Sequence, residues 1–413
     1  MSTIGEQTIA KHAGETSGRS KGRLATGLVL GTVTAIGPFS IDMYLPALPE
    51  LASDYATTTA WTQLTLTMFL LGMALGQIIA GPISDAWGRR KPLFVGMGAY
   101  IVISVLCAFA PTIEWLVALR FLHGLAGAAG IVVARAIARD SFEGAELTKF
   151  FALLTLIGGA GPIVAPIVGG QLLTVTTWQG VFVFLGAFGA LIAASVFMLI
   201  PESLPPRDRI AGGLSKSLAA MFRLTRDREL IGYAMTQGLI MGGLFSYVSG
   251  SSFMMQEIYG VSPQTFSMIF AIIGSGFIIG AQGAARLVRR FPERNLLLGG
   301  LILATGSGLF LLAALLLRGS LFAVVPPLFL LVCCMGIVGT TSMSLALQKH
   351  KQSAGSAAGL IGLVGMLLGG LISPLSGLGG SETAVPIGVV IAACSAGALL
   401  CYLLTIRRFE RTA

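Results

Sequence analysis

Two charged residues lie inside otherwise apolar stretches of the sequence. Asp42 follows an apolar run that begins at Leu24, and Arg120 lies near the start of the run 115–137. A carboxylate that is shielded from water holds a proton more tightly, so it can take up and release that proton near neutral pH. An arginine keeps its charge and must be paired or hydrated. One carboxylate and one arginine would suffice for a proton switch.

Both residues also have simpler interpretations. Asp42 could be in water at the outer end of its span, because Pro46 and Pro49 follow closely and could end the helix. Arg120 could extend its side chain to the outer membrane surface. His123 lies one turn after Arg120, where neutral packing is favoured over a proton relay. We favour a functional role for Asp42 in a cavity.

The composition of the chain explains why these charges stand out. Of 413 residues, 54% are hydrophobic and only 11% are charged, whereas soluble proteins carry about 25% charged residues. This excludes a disordered chain and an ordinary water-soluble enzyme. A membrane-spanning helix needs about 20 mostly apolar residues. Charge-free runs of that length predict an all-α integral membrane protein with twelve transmembrane helices.

Basic residues mark one side of this predicted bundle. All but two of the 27 Lys and Arg residues fall on one face, the exceptions being Arg120 and Arg318. Lys and Arg collect on the cytoplasmic side of membranes, so we expect both termini in the cytoplasm. The net charge of +9 therefore reflects membrane topology, and no nucleic-acid partner is expected.

The longest connection on the basic face divides the chain into two sets of six spans. The predicted parts are a cytoplasmic tail, an N-terminal half, a cytoplasmic linker, a C-terminal half and a second tail: 1–23, 24–200, 201–228, 229–406 and 407–413. In the linker, apolar residues recur at helical spacing, which fits a short amphipathic helix on the inner leaflet or a simple tether. They are Leu214, Leu218, Met221 and Phe222.

The loop between spans 2 and 3 is rich in glycine and charge. Gly81 and Gly88 allow close backbone approach. We expect Asp85 to accept hydrogen bonds from backbone N–H groups at a neighbouring helix start. Arg89 and Arg90 can pair with acidic residues of nearby loops. Such a cluster would latch the cytoplasmic helix ends, whereas a plain basic turn would leave the spaced Gly and Asp unexplained.

Span 5 combines small residues with proline. Gly161, Ala165 and Gly169 are four residues apart, a spacing that permits close helix contact. Pro166 loosens the helix, and Gly170 adds another small residue. This pattern predicts a hinge or a tight interface between the two halves.

Neither a metal nor a nucleotide site is predicted. The three His and five Cys residues show no ligand spacing, and no GxxxxGK[ST] motif is present. We therefore expect no cofactor, with protons as the coupling ion. Candidate cavity residues are aromatic or polar, although each could equally pack in the core or face lipid: Phe39, Tyr44, Phe69, His123, Tyr233, Gln237, Tyr247 and Phe253.

Together these motifs resemble the major facilitator superfamily over almost the whole chain. Residues 81–91 resemble its signature G-x-x-x-D-x-x-G-R-[RK]-[RK]. Residues 161–170 resemble the antiporter signature G-x-x-x-G-P-x-x-G-G, with Ala165 replacing a glycine, and residues 120–124 resemble R-x-x-x-G. Residues 40–49 closely resemble span 1 of the Bcr/CflA subfamily, which includes bicyclomycin and chloramphenicol exporters.

The resemblance implies a twelve-helix fold that works by alternating access to a cavity between the halves. It implies that Asp42 is the protonation site, that Arg120 tunes it, and that Asp85, Arg89 and Arg90 form the latch. Ala285 stands in the second half where Asp85 stands in the first, so a latch there must work without that carboxylate. The expected protein is a monomeric multidrug/H⁺ antiporter of the bacterial inner membrane.

Two other functions remain open at this stage. A proton-coupled symporter for a nutrient or metabolite would use the same fold. It would favour more polar cavity residues than Tyr233, Gln237 and Tyr247 supply. An integral membrane enzyme would need acids or histidines clustered at one depth, and only Asp42 and His123 are available.

Overall fold

The computed structural model describes residues 26–142, 144–209, 222–350, 354–380 and 382–407, and the regular structure in these residues is helical. Within these described residues, thirteen α-helices of seven or more residues make up the bundle. In chain order they are α1 (26–42), α2 (Leu48–Asp54), α3 (Thr59–Trp87), α4 (Arg90–Ala108), α5 (Ile113–Ser141), α6 (Gly144–Leu172), α7 (Trp178–Leu199), α8 (Arg228–Phe253), α9 (Pro263–Leu287), α10 (Glu293–Leu316), α11 (Leu321–Gln348), α12 (Ala354–Ile372) and α13 (Val385–Cys401).

The prediction of twelve spans is confirmed. Ten described segments are long and apolar enough to cross a membrane, and the first of them, Thr26–Asp54, contains both α1 and α2. With 29 and 26 residues, α6 and α8 complete the twelve. A bilayer offers no water to backbone polar groups, so helices that satisfy their own N–H and C=O groups are favoured there. The chain is a multi-pass membrane protein.

Polar side chains define where several helices begin. The Asp227 carboxylate accepts hydrogen bonds from the N–H groups of Glu229 and Leu230 at the start of α8. Ser262 does the same for Thr265 at the start of α9. The first turn of a helix leaves its N–H groups without partners, and these side chains satisfy some of them.

The two halves repeat one arrangement of helices. In the first half α3 packs on α5, and α4 packs on α5 and α7; in the second half α9 packs on α11, and α10 packs on α11 and α13. Between the halves, α6 contacts α9 and α3 contacts α12. We call the end of the bundle that carries residues 84–91 the basic end, and the other end the opposite end.

Glycines set the closest helix contacts in the same way in both halves. A Cβ atom on Gly72 of α3 would collide with the carbonyl of Phe121 on α5, and one on Gly124 of α5 would collide with the carbonyl of Phe69. The second half repeats this reciprocal contact between α9 and α11. There Gly280 lies against the carbonyl of Cys333, and Gly336 against that of Phe277.

Hydrogen bonds join the halves at the opposite end. Three glutamines take part, and we call them the glutamine seal. Gln256 Nε2 donates to the Pro46 carbonyl over 3.1 Å, and Gln264 Nε2 donates to the Gly170 carbonyl over 3.1 Å. Ser376 Oγ donates to Gln63 Oε1 over 3.1 Å. Each of these hydrogen bonds links one half to the other, and none of them involves a charged group.

Residues 1–25, residues 210–221 of the linker and residues 408–413 fall outside the described residues. Of the predicted amphipathic linker helix, only Phe222 is described, and its side chain is exposed. The proposed domain bounds therefore stay predictions.

Candidate functional site

The first span breaks where Asp42 stands. α1 ends at Asp42, a 3-10 turn follows at Leu45–Ala47, and α2 continues the span to Asp54. The Asp42 side chain is only 6% exposed. The interpretation of Asp42 as a wet residue at the end of the span is therefore wrong, although the helix does end there as the prolines predicted.

Arg120 caps the broken end of α1. The last carbonyls of a helix lack partners within that helix, and Arg120 Nη2 donates to the Ser40 carbonyl over 2.9 Å. A cation at a helix C-terminus also opposes the negative end of the helix dipole. Arg120 has no exposed surface, which rules out extension of this side chain to the membrane surface.

Aromatic rings surround the Arg120 guanidinium. The guanidinium carbon, Cζ, lies 4.3 Å from the centre of the Phe69 ring, 5.2 Å from the centre of the Tyr44 ring and 5.6 Å from the centre of the Phe182 ring. Ring faces attract cations, most strongly where water is excluded. The Tyr44 hydroxyl is bonded in turn to Thr65 over 2.9 Å. Arg120 is therefore held within the first half by rings and a backbone carbonyl.

Arg120, which the resemblance predicts to tune Asp42, does not bond to the Asp42 side chain. Among the described residues, no ion pair joins these two side chains. Arg120 instead reaches the backbone of Ser40, two residues before Asp42 on α1, and its role in tuning Asp42 stays a prediction. Asp42 instead lies within electrostatic reach of Tyr247 on α8, in the other half.

Tyr247 is the predicted cavity residue that the structure brings near Asp42. Its ring stacks on Phe270 of α9 at 5.4 Å. Its hydroxyl is buried, and it has no hydrogen-bond partner among the described residues. Buried hydroxyls are usually bonded, so the Tyr247 hydroxyl can still form a hydrogen bond.

The other predicted cavity residues pack within one half or the other. Phe39 stacks on Phe188 of α7 at 5.2 Å, and Tyr44 and His123 are fully buried beside Arg120. The prediction that these three residues line a cavity stays a prediction. In the second half, Tyr233 accepts a bond at its carbonyl from Ser342 of α11, and Gln237 lies beside Gly339.

At the basic end, Arg89 lies between two carboxylates. Its Nε donates to Asp140 Oδ2 over 2.7 Å, its Nη1 to Asp85 Oδ1 over 2.5 Å and to Ser84 Oγ over 2.9 Å. Burial lowers the pKa of Arg89, but the bonds and charges of Asp140 and Asp85 outweigh it and raise that pKa overall. The cluster ties α3, α4 and α5 together.

Glu202, just after α7, caps α4. Its carboxylate accepts hydrogen bonds from the N–H groups of Arg89 and Arg90 over 2.8 and 3.2 Å, and from Leu204 over 3.1 Å. Partial burial raises the pKa of Glu202, but these three N–H donors and the charge of Arg209 lower it below its ordinary value overall. We call Asp85, Arg89, Asp140 and Glu202 the basic-end cluster.

Two details of the predicted latch are corrected. Glu202, and not Asp85, accepts from the backbone at the helix start. The Arg90 side chain makes no recorded ion pair among the described residues; it lies over the rings of Phe94 and Phe197 and donates to the Phe197 carbonyl.

The glycines of this loop differ in what they allow. Gly88 has a φ of 90°, and a Cβ there would lie 2.7 Å from Glu202 Oε2. Its lack of a side chain is therefore required for the cap. Gly81 is less restricted, because its Cβ would meet only Val132 at 3.7 Å, while its carbonyl accepts from Ser84.

The small residues of span 5 serve two interfaces. Gly161 lies against Pro38, and Gly169 against the Met43 carbonyl, so both pack on the first span. Gly170 faces Ser267 of α9 in the other half, and Ala165 and Pro166 are buried. α6 runs through Pro162 and Pro166 without ending. Gly170 thus meets the other half while Gly161 and Gly169 pack within their own half, and the predicted hinge or interface between the halves stays a prediction.

The second half has its own contacts at the basic end. Lys349 pairs with Glu229, and His350 lies 3.2 Å from Asp227. Ser344 and Gln348 donate to Glu293. These contacts tie α8, α10 and α11 without a carboxylate at Ala285. Among the described residues, no group of three or more His, Cys, Asp or Glu is arranged to hold a metal ion.

Asp140 and Glu202 are not among the predicted site residues. Asp140 directly follows Arg139 in a basic segment, so it reads as part of a surface turn. The only sequence signal was the scarcity of acidic residues at this end, which makes each one a candidate partner for Arg89.

Comparison with known proteins gives matches of three kinds: a family model, sequence relatives and solved structures. The family model of the Major Facilitator Superfamily matches residues 30–374. An uncharacterized MFS-type transporter, YdgK, of Bacillus subtilis is 42% identical over 90% of this chain and 92% of its own. A bicyclomycin resistance protein homolog of Haemophilus influenzae is 30% identical over 91% of this chain and 94% of its own.

A chloramphenicol resistance protein of Pseudomonas aeruginosa is 28% identical over 84% of this chain and 81% of its own. Among solved structures, a D323A mutant of the nucleoside transporter NupG superposes with a TM-score of 0.76, covering 93% of this chain and 100% of its own. Its 12% sequence identity makes this a likeness of fold alone.

Proposed function

Because the chain belongs to the Major Facilitator Superfamily, whose family model matches residues 30–374, we propose that it exports small, mostly apolar drugs in exchange for protons. The names of two relatives, a bicyclomycin resistance protein homolog and a chloramphenicol resistance protein, support a drug as the cargo. The family supports a transporter and not an enzyme. No cofactor is proposed, and protons are the coupling ion.

The position of Asp42 carries the proposal. It is a buried carboxylate at the end of α1, within electrostatic reach of Tyr247 in the other half. A buried ionised group is unfavourable unless it is paired. The protonated form therefore favours closure of the halves around Asp42, and the ionised form favours a cationic or polar drug group beside it. Proton and drug would thus exclude each other.

Alternating access follows from the two-half architecture. The glutamine seal joins the halves at the opposite end, so the state described supports access from the basic end. Because Lys and Arg collect on the cytoplasmic side, we assign the basic end and both termini to the cytoplasm. The proposed location is a bacterial inner membrane, and the proposed working unit is the monomer.

The test is drug-dependent proton movement in proteoliposomes. Drug added on the side it is exported from should release protons from vesicles holding the wild-type protein, and Asp42→Asn should abolish this release. Glu50→Gln, on α2 of the same span, is the matched control and should behave as wild type. Proton-driven transport by Asp42→Asn at the wild-type rate would overturn the role of Asp42.

The candidate drugs come from a susceptibility panel. Cells that express the protein should tolerate more of an exported antibiotic than cells that do not, and an uncoupler should remove the difference. Substrate-stimulated alkalinisation outside the cells would instead indicate proton-coupled uptake, which is the symporter alternative.

A further inference from the structure

His123 lies in a polar chain that the proposed exchange does not explain. Its side chain has no exposed surface. Its Nδ1 is 3.1 Å from Arg120 Nη1, and its Nε2 is 2.8 Å from Ser104 Oγ. The ring stacks on Tyr100 at 4.3 Å and meets the Phe69 ring edge-on at 5.5 Å.

The partners fix the position of the ring proton. A guanidinium can only donate hydrogen bonds, so Nδ1 must accept from Arg120. A neutral imidazole has one donor and one acceptor, so Nε2 carries the hydrogen and donates to Ser104 Oγ. Ser104 in turn donates to the Tyr100 carbonyl over 2.7 Å. The hydrogens on Arg120 Nη1, His123 Nε2 and Ser104 Oγ thus each meet an acceptor, while Arg120 Nε has no hydrogen-bond partner among the described residues.

The chain ends on the helix that carries Asp42. Arg120 uses Nη1 for His123 and Nη2 for the Ser40 carbonyl. Tyr100, on which His123 stacks, also shares a hydrogen bond of 2.7 Å with Ser40 Oγ. Both residues that His123 contacts, Arg120 and Tyr100, therefore bond to Ser40 in the last turn of α1.

We propose that His123 is a positioning residue, a neutral imidazole with its hydrogen on Nε2, which orients Arg120 and so fixes the end of α1 at Asp42. The proposal rests on the proposed role of Asp42 in proton coupling. His123 passes no proton to Asp42, because its acceptor nitrogen is occupied by a cation that cannot supply one.

The surroundings of His123 keep it in this form. Arg120 of its own helix and Tyr100 of α4 are the titratable groups in contact with it. Around Arg120 lie Tyr44 of the first span and Cys107 of α4. None of these groups is a carboxylate. A second ring proton would sit on Nδ1 and face the Arg120 guanidinium, which is a donor and carries the same charge. The imidazolium form is therefore unfavourable.

The first test reads the ring directly. Nitrogen-15 histidine spectra of the protein in nanodiscs should be recorded with His12→Ala and His350→Ala, so that His123 alone is observed. The shifts should be those of a neutral ring with hydrogen on Nε2, unchanged between pH 5 and pH 8. A hydrogen on Nδ1, or an imidazolium in this range, would overturn the proposal.

The second test reads the coupling. His123→Gln keeps one acceptor and one donor and should retain the wild-type rate and pH profile of drug/H⁺ exchange. His123→Leu leaves an Arg120 N–H buried without its acceptor, and should lower the maximal exchange rate about tenfold and shift the pH profile, with little change in the KM for drug. Ser104→Ala should act in the same direction more weakly.

A buried serine in the other half serves as the structural control. Ser307 Oγ donates to the Pro327 carbonyl, and Ser307→Ala should leave the pH profile unchanged. If His123→Leu folds and keeps the wild-type profile, the positioning role is wrong. If His123→Leu does not fold, Ser104→Ala and the spectra still decide. A failure of Asp42→Asn to affect transport would overturn the proposed function and leave the spectra unaltered.

Discussion

The side-chain amide of Gln256 donates a hydrogen bond to the carbonyl oxygen of Pro46 over 3.1 Å, and this bond joins the two halves of the bundle. Gln256 follows α8 of the second half, and Pro46 lies in the turn between α1 and α2. The turn that Gln256 holds is the one that follows Asp42. Closure at the opposite end and the position of the buried carboxylate are thus set by the same short segment.

Removing the seal should open the opposite end. Each neutral hydrogen bond contributes about 0.5–1.5 kcal/mol, so Gln256→Ala or Gln264→Ala should raise the population open at that end about 2- to 12-fold, and the double variant should raise it more. Distances between spin labels at Ser53→Cys and Ser320→Cys, in a chain whose five native cysteines are replaced, measure this population.

The matched control for the seal is Gln171→Ala. Gln171 is exposed near the end of α6 and takes no part in the seal, so its loss should leave the distance distribution unchanged. An unaltered distribution in the double variant would show that the seal does not hold the halves together. Because all three bonds are neutral, the effect should be the same at pH 6 and pH 8.

Asp140→Asn should weaken the basic-end cluster. Asp140 accepts from Arg89 and from Ser203, and bonds to charged groups contribute about 1.5–3 kcal/mol. The free energy of unfolding in detergent should fall by about 1–3 kcal/mol. Asp208→Asn, at an exposed residue, should change it by less than about 0.5 kcal/mol. Equal effects of the two variants would contradict this assignment.

Glu202 should make stability depend on acid pH. Its pKa is lower in the folded protein than in the unfolded chain, so folding favours its ionised form. The stabilisation is present above the unfolded value of about 4.3 and is lost as the pH falls through the folded value. Wild type should therefore be more stable than Glu202→Gln at pH 7, and the difference should shrink below about pH 4.

Thermal unfolding of both proteins between pH 7 and pH 3 measures this difference. Glu382→Gln, at an exposed residue before α13, is the control and should show no such trend. If the difference in stability between wild type and Glu202→Gln stays constant down to pH 3, the charge of the Glu202 carboxylate does not contribute to stability.

A methyl group at Gly124 should disrupt the first half. Its Cβ would collide with the Phe69 carbonyl, a backbone atom that cannot turn aside. Overpacking of this kind costs about 1–3 kcal/mol, and Gly336→Ala should do the same in the second half. A Cβ at Gly306 would meet open space, so Gly306→Ala should be neutral or stabilising. Alanine is more favourable than glycine in a helix by about 1 kcal/mol. Thermal unfolding compares the three.

The spans could be predicted because their signal accumulates along the chain. Each helix repeats apolar character over about 20 residues, so single polar residues do not hide it. Asp42 and Arg120 could be singled out for the same reason, since a charge in such a run is costly. The basic residues of residues 81–91 were equally visible, and Arg89 does lie at the centre of the basic-end cluster.

The partners of these residues could not be predicted. Which side chains Arg120 meets depends on the rotation of α5, and that rotation is set by the contact of Gly124 with Phe69. Sequence spacing gives no rotation of one helix against another. Arg89 similarly meets Asp140 and Glu202, residues far along the chain that only tertiary packing brings near.

The reciprocal glycine contacts make the two halves directly comparable, and they show a division of labour. Arg120 directly precedes Phe121, whose carbonyl meets Gly72; in the second half Val332 directly precedes Cys333, whose carbonyl meets Gly280. At equivalent positions in the same helix packing, the first half thus carries a cation, Arg120, and the second half carries an aliphatic side chain, Val332. If the chain exchanges drugs for protons as proposed, substitutions in the second copy would alter the range of molecules accepted while Asp42 and Arg120 of the first copy remain intact.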